Sequence, residues 1–168
     1  PESLRQAWAA LQLTWSATLE RVAQLPPGAA DVSVDGEWSF AQTLRHLVMA
    51  TDTWLRRAIL GVEQPFHPIG QPNEEYASDG NDPSDIAIYL SQGLPPYEAV
   101  LAVRAERVAM VSDFLATVTA DELAATRANP WAPEYPETVL SCVHVILGEE
   151  WEHHRYAVRD LDAQLSAG

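Results

Sequence analysis

The sequence predicts an all-α protein built as a four-helix bundle. Four long segments of the 168-residue chain carry apolar residues at the three- and four-residue spacing of an amphipathic helix. Stretches rich in proline and glycine separate these segments, and two of the connections are long, which is typical of a bundle whose chain crosses over one end. We expect the whole chain, residues 1–168, to form a single domain with a sizeable core.

Charge and cysteine content limit the possible partners. The net charge is −14 and all ten basic residues are arginine, so binding to nucleic acid or to an anionic membrane is disfavoured. No apolar run approaches the length of a membrane span. The single cysteine, Cys142, excludes an internal disulfide and fits a reducing cytoplasm. We therefore expect a cytoplasmic protein whose partners are small molecules, metal ions or a second copy of itself, as in a homodimer.

The first helix is indicated by an apolar stripe that ends at Pro26-Pro27-Gly28. We interpret its two tryptophans as core residues rather than as a platform for a ligand. The members of the stripe are Leu4, Trp8, Leu11, Trp15, Leu19, Val22 and Leu25.

The second helix begins with a predicted capping box, formed by Ser39 and Gln42. We expect Trp38, just before the cap, to pack back on the first turn, and the helix to end at Gly61. At about 100° per residue, His46 falls on the flank of the apolar stripe, where a histidine is by default half-exposed.

The connection from 61 to 82 is long enough to be functional or mobile, and it contains His67. His67 is a candidate to line a pocket, the alternative being an ordinary surface histidine. Asp82-Pro83 predicts the start of a short extra helix that runs to about Ser91.

The third long helix is predicted from about Tyr97 to Val118, with Arg104 and Arg107 facing outward. A second capping box, Thr119 with Glu122, starts one short turn. Residues 125–136 read as a proline-rich loop that leads into the last helix.

The last helix lies within the proline-free run from Glu137 to Leu165 and carries the candidate chemistry. Its apolar spacing places Glu150 and His154 towards the core, one turn or about 6 Å apart, so that both could reach one ion. His46 is the only helical histidine outside this segment and is the candidate third ligand. One carboxylate and two imidazoles with open coordination positions suit a catalytic divalent ion, zinc first.

The neighbours of this pair are interpreted more simply. His153 is turned about 100° from His154, so the two cannot share one ion from the same helix. Glu149 and Glu152 are expected on a solvated face, where Arg155 can pair with them, although Arg155 is also a candidate to bind a substrate carboxylate. Cys142 lies about 12 Å along the axis from Glu150 and is expected to be a small core residue.

Two motifs, Trp38–Leu47 and Glu150–Arg155, resemble those of the DinB-like superfamily of metal-binding four-helix bundles. In this resemblance His46 matches the ligand of the second helix, and Glu150 with His154 matches the ligand pair of the last helix. The His-Glu-His set is similar to that of the mycothiol-dependent maleylpyruvate isomerase branch. The resemblance implies an up-down-down-up bundle, one divalent metal ion (zinc, or nickel in some recombinant members) and often a dimer.

Two classes of function follow from the resemblance. The first is a metal-dependent S-transferase or isomerase that uses a small thiol, mycothiol-like, with a small-molecule substrate. The alternative is a non-catalytic metal-binding or structural dimeric bundle. The thiol of Cys142 lies too far along the helix to serve, so in the first class the thiol must arrive as a cosubstrate. No catalytic residue is assigned beyond the candidates Arg155 and His67.

Overall fold

The computed structural model describes residues 1–72 and 93–166 and confirms an all-α protein. The short helix expected between Asp82 and Ser91 lies outside the described residues. The elements are α1 (Glu2–Ala23), a 3-10 turn (Ala29–Asp31), α2 (Phe40–Thr51), its π-helical continuation (Asp52–Ile59), α3 (Tyr97–Thr117), α4 (Ala120–Ala124), β1 (Thr126–Ala128), β2 (Pro136–Thr138) and α5 (Val139–Ser166).

Local sequence explains where the helices begin. At the start of α2 the Ser39 hydroxyl accepts a bond from the Gln42 amide, and the Gln42 side chain accepts one from the Ser39 amide. Thr119 and Glu122 form the same reciprocal pair at the start of α4, so both predicted capping boxes are confirmed. The 125–136 segment differs from its prediction, because its ends pair as the antiparallel strands β1 and β2, with Arg127 opposite Glu137.

The four long helices form a ring in which α1 packs against α3 and α5, and α2 packs against the same two helices. Helices α1 and α2 therefore occupy opposite corners, and α5 presents one face to each of them. This position of α5 decides which of its side chains meets which neighbour. Within the described residues, no helix is both long and apolar enough to cross a membrane.

The core has two large apolar clusters separated by a buried polar layer, and Met49 and Phe66 form a small third cluster. One cluster surrounds Trp8 and Leu115, and the other surrounds Trp15 and Leu44. Each long helix carries polar residues between its contributions to the two clusters. The buried charged members of the layer are Asp52, Arg104, Arg107 and Glu150.

Burial of the two arginines corrects the prediction that Arg104 and Arg107 face outward. Arg104 donates to Glu150 at 2.5 Å, and Arg107 donates to Asp52 at 2.7 Å. A guanidinium can be buried when a carboxylate compensates its charge, and both arginines meet that condition. The layer joins α3 to α5 through one pair and to the π-helical segment through the other.

Candidate metal centre

Three side chains with metal-ligating atoms meet where α2 packs against α5: His46, Glu149 and His153. Their ligand atoms all lie within 4.8 Å of one another, and no other such group of three occurs among residues 1–72 and 93–166. The Nε2 atoms of His46 and His153 each lie 3.1 Å from the same Glu149 oxygen, Oε2. We call these three residues the His-Glu-His cluster.

The position of His46 is fixed by a backbone carbonyl. Its Nδ1 lies 3.0 Å from the carbonyl oxygen of Gln71, and a carbonyl can only accept, so Nδ1 carries a proton. The Gln71 amide in turn donates to the carbonyl of Arg45, and the Arg45 side chain donates to the carbonyl of Ile69. The connection after α2 is therefore fastened to the helix, and it orients the imidazole so that Nε2 points to Glu149.

The electrostatics of the cluster favour an ionised carboxylate. Burial alone would raise the pKa of Glu149, but hydrogen bonds from His153 and His46, together with their charges, outweigh it and lower the pKa to about 2. Glu149 is therefore a carboxylate at neutral pH, with one oxygen shared between two imidazoles. This side chain is 32% exposed, so solvent reaches one side of the cluster.

Trp38 covers the cluster and borders a cavity beside it. Its ring centroid lies 4.9 Å from that of His46 and 5.9 Å from that of His153, on which it stacks. It does not simply pack back on the first turn of α2 as the sequence suggested. A cavity of about 300 Å³ opens next to it, and His153 belongs to both the cluster and the cavity wall. The described residues that line the cavity are Gly36, Glu37, Trp38, Thr43, His153, Tyr156 and Asp160.

The predicted ligand Glu150 is buried, as expected from the spacing, but it faces the polar layer rather than His46. It is 1% exposed, and its Oε2 accepts the bond from Arg104. Burial raises the pKa of Glu150, and the neighbouring Arg104 guanidinium opposes that rise. Among residues 1–72 and 93–166 its other oxygen, Oε1, accepts no well-formed hydrogen bond, although the nearby Trp15 side chain also acts to lower the pKa of Glu150. Glu150 therefore serves to compensate a buried arginine.

The second predicted ligand, His154, faces α1. Its Nε2 lies 2.8 Å from the Thr18 hydroxyl, and its ring packs edge-on against Trp15 at 4.8 Å. Burial lowers the pKa of this imidazole, which favours its neutral form. The structure thus buries His46, which the sequence placed as half-exposed, and brings it together with Glu149 and His153, each one residue before the predicted ligand on α5.

The reason for this displacement is the position of α5 between two corners of the bundle. A step of one residue turns a side chain by about 100°, from the face towards α1 and α3 to the face towards α2. The sequence prediction did not include Glu149 and His153, because it took the buried face of α5 as the ligand face. The available signal was the position of His46 on the flank of its own helix, since flanks of neighbouring helices meet.

The remaining candidates lie away from the cluster. Arg155 pairs with Glu152 at 3.1 Å on the exposed side of α5 and does not line the cavity. His67 is also absent from that lining; its Nδ1 accepts a bond from the amide of Ile69, and its own amide donates to Asp52. Cys142 is fully buried, and burial raises the pKa of its thiol, which fits the expected core role.

The donor set of the His-Glu-His cluster fits a divalent metal ion. With its proton on Nδ1, a neutral His46 directs the lone pair of Nε2 at a carboxylate oxygen, which is repulsive unless a cation intervenes. That cation is either an additional proton or a metal ion. Two imidazole nitrogens and one carboxylate, with Nδ1 held by a carbonyl, are the ligands and the outer support that a metal site needs.

Comparison with known proteins is consistent with this geometry. A model of the DinB superfamily matches residues 10–157, which include all four long helices in part or whole and the complete His-Glu-His cluster. No match was found among curated proteins or among solved structures.

Proposed function

The chain belongs to the DinB superfamily, which is generally metal-binding, and on that premise we propose that His46, Glu149 and His153 bind one divalent metal ion. The observation that carries the proposal is the convergence of two Nε2 atoms on one oxygen of an ionised carboxylate. Zinc is the first candidate, because two histidines and one glutamate form a known catalytic zinc set. Nickel is a plausible occupant of protein purified on a nickel column.

We further propose that the metal centre is catalytic and uses a small thiol, mycothiol-like, in an S-transfer or an isomerisation. Three protein ligands leave a coordination position open, and His153 brings the cluster to the wall of a cavity large enough for a small substrate. When bound, a divalent ion would supply the charge that deprotonates a coordinating thiol at neutral pH.

The protein's own groups have defined parts in that chemistry. Gln71 holds the imidazole of His46 through its carbonyl, and Trp38 shields the cluster from one side. Cys142 is excluded as the thiol because it is buried in an apolar cluster with a raised pKa. The reacting thiol therefore comes from a cosubstrate, in a cytoplasmic setting.

The second candidate is a metal-binding bundle that serves as a dimeric structural protein. The observation in its favour is the exposed apolar surface of α5, where Trp151 is 50% exposed and Leu140 is also exposed. A homodimer formed through this face would cover it. Sedimentation of the protein, compared with a Trp151→Glu variant, distinguishes a dimer through α5 from a monomer.

The experiment that tests the proposed function begins with protein purified without a histidine tag. Elemental analysis is expected to find one divalent ion per chain, and none in a His46→Ala variant. Cobalt-substituted protein is then titrated with candidate small thiols, which are expected to produce a sulfur-to-cobalt charge-transfer band, unchanged in Cys142→Ala. If the protein binds stoichiometric metal but no thiol produces a charge-transfer band, the thiol-dependent enzyme is refuted and the metal-binding bundle is favoured.

A further inference from the structure

The cavity beside the His-Glu-His cluster has acidic and aromatic walls. Its described lining includes two carboxylates, Glu37 and Asp160, and two large aromatic rings, Trp38 and Tyr156. None of these lining residues is an arginine, and the chain as a whole is strongly acidic. A negatively charged substrate would meet like charges here, whereas a positive charge would be attracted by both carboxylates and ring faces.

The structure also shows how these groups hold a cation: the side chain of Arg159, which is not one of the described lining residues, contacts three residues of the cavity wall. Its guanidinium carbon lies 5.5 Å from the centroid of the Tyr156 ring. One of its nitrogens, Nη2, lies 3.1 Å from an Asp160 oxygen and 3.8 Å from a Glu37 oxygen. A single positively charged group is therefore placed over an aromatic ring and between two carboxylates.

Arg159 holds this position weakly. Its side chain is 52% exposed, and exposed ion pairs contribute at most about 1 kcal/mol. An arginine side chain has many rotamers, so it can swing into solvent when another cation arrives. Asp160 is less exposed than Glu37 and stays at the wall, where it would receive the incoming charge.

We propose that this cavity binds a small organic cation, an amine or a quaternary ammonium compound, whose charge takes the position of the Arg159 guanidinium. The rest of the ligand lies along Trp38 and reaches His153 at the edge of the cluster. The proposal names the class of substrate. Only the reaction of the bound cation, and not its binding, rests on the proposed function. Binding of the cation itself does not require the metal ion.

The test uses three probes that are nearly equal in shape and differ in charge. Choline is positive, 3,3-dimethyl-1-butanol is neutral, and 3,3-dimethylbutanoate is negative. None of the three carries an amine that could ligate a metal. Each is titrated into metal-free and zinc-loaded protein at physiological salt, with calorimetry and the indole N–H signals of the tryptophans as readouts. Choline is expected to bind both forms at least tenfold more tightly than the neutral probe. The butanoate comparison is made with metal-free protein, because a carboxylate can ligate zinc, and there butanoate is expected not to bind.

Variants of residues at and beside the cavity wall locate the binding site. Asp160→Asn and Glu37→Gln are each expected to weaken choline binding at least threefold. Arg159→Gln is expected to strengthen it, because the internal competitor is removed. Arg155→Gln is the matched control, because Arg155 is an exposed arginine of the same helix that pairs with Glu152 and does not line the cavity, and it is expected to change nothing.

The outcomes separate this proposal from the proposed function. Four results would overturn the cation site: equal affinity for choline and the neutral probe, tighter binding of the anion to metal-free protein, no binding of any probe at 10 mM, or weaker choline binding in Arg159→Gln. Choline binding in a protein whose cluster takes up no metal would support the cation site and refute the metal centre. Metal uptake without choline binding would support the metal centre and refute the cation site.

Discussion

Adjacent glutamates on α5 give the sharpest prediction, because the structure assigns them opposite roles. Glu149 belongs to the His-Glu-His cluster, and Glu150 compensates the buried Arg104. We expect Glu149→Gln to abolish metal binding with little effect on stability. We expect Glu150→Gln to destabilise the fold while the folded protein still binds the metal.

The magnitudes follow from burial. Glu150 and Arg104 are 1% and 5% exposed in their side chains, and breaking such a pair costs about 3–5 kcal/mol because a charge is left uncompensated. For a chain of this size that corresponds to a fall in Tm of about 6–20 °C. Glu149 is partly exposed, and the loss of its ion pairs should cost about 0–1 kcal/mol, or less than about 4 °C.

The effect on metal affinity has the opposite order. Loss of an outer-shell partner already costs roughly 10–100-fold, so loss of the only carboxylate ligand in Glu149→Gln should exceed that range. Glu150→Gln should retain the affinity of the wild type within about threefold, since the Glu150 carboxylate bonds to Arg104 of α3 rather than to His46 or His153.

Two assays on the same samples measure these effects: thermal unfolding of metal-free protein and calorimetric zinc titration at 15 °C. Glu152→Gln is the matched control. Glu152 lies on the same helix, its only ion-pair partner within the described part of the chain is the exposed Arg155, and the change should affect neither quantity. Loss of zinc binding in Glu150→Gln with retention in Glu149→Gln would refute the assignment and favour the ligand pair Glu150 and His154.

Three further predictions concern other parts of the molecule. Burial and the charge of Arg107 lower the pKa of His67, whose Nδ1 accepts from Ile69, so the folded state favours the neutral ring. The contribution of neutral His67 to the stability of the folded state should be complete above about pH 6.5 and should be lost as the pH falls through the lowered pKa of the folded protein. Measurements of Tm from pH 8 to 5, compared with those of His67→Asn, will check this. The thiol of Cys142 should react with a disulfide reagent at least about 100-fold more slowly in native than in denatured protein, because exposure requires opening of the core; fast native reaction would contradict the core assignment. Zinc at about 100 times its Kd should add about 2.7 kcal/mol and raise Tm by about 5–11 °C, and a melting curve indifferent to a chelator after verified metal removal would contradict binding to the folded state.

Much of the fold was predictable because its signals are local. The apolar stripe of α1 and the capping boxes at Ser39 and Thr119 depend on residues three or four positions apart, and the structure confirms them. The hairpin between β1 and β2 was not predictable in this way. Its strands have three residues each, too few for an alternating pattern, and the segment between them is rich in proline.

The ligand set predicted from the sequence and the cluster in the structure share His46 and differ by one residue at each of the two positions on α5. Helical periodicity identifies which residues are buried, and Glu150 and His154 are buried as predicted. Periodicity does not say which of two neighbouring helices a buried or half-buried face contacts. The same limit explains the wrong prediction for Arg104. An isolated arginine is costly to bury, so the sequence predicted an outward side chain. The carboxylate that compensates it lies 46 positions away, where local spacing gives no signal.

The central claim is that one divalent ion is bound by His46, Glu149 and His153. Anomalous diffraction from zinc-loaded crystals, recorded on both sides of the zinc absorption edge, tests it most directly. We expect one peak about 2.0–2.1 Å from the Nε2 atoms of both histidines and about 2.0–2.2 Å from a Glu149 oxygen. A peak held by Glu150 and His154, or no ordered zinc between α2 and α5, would contradict the claim.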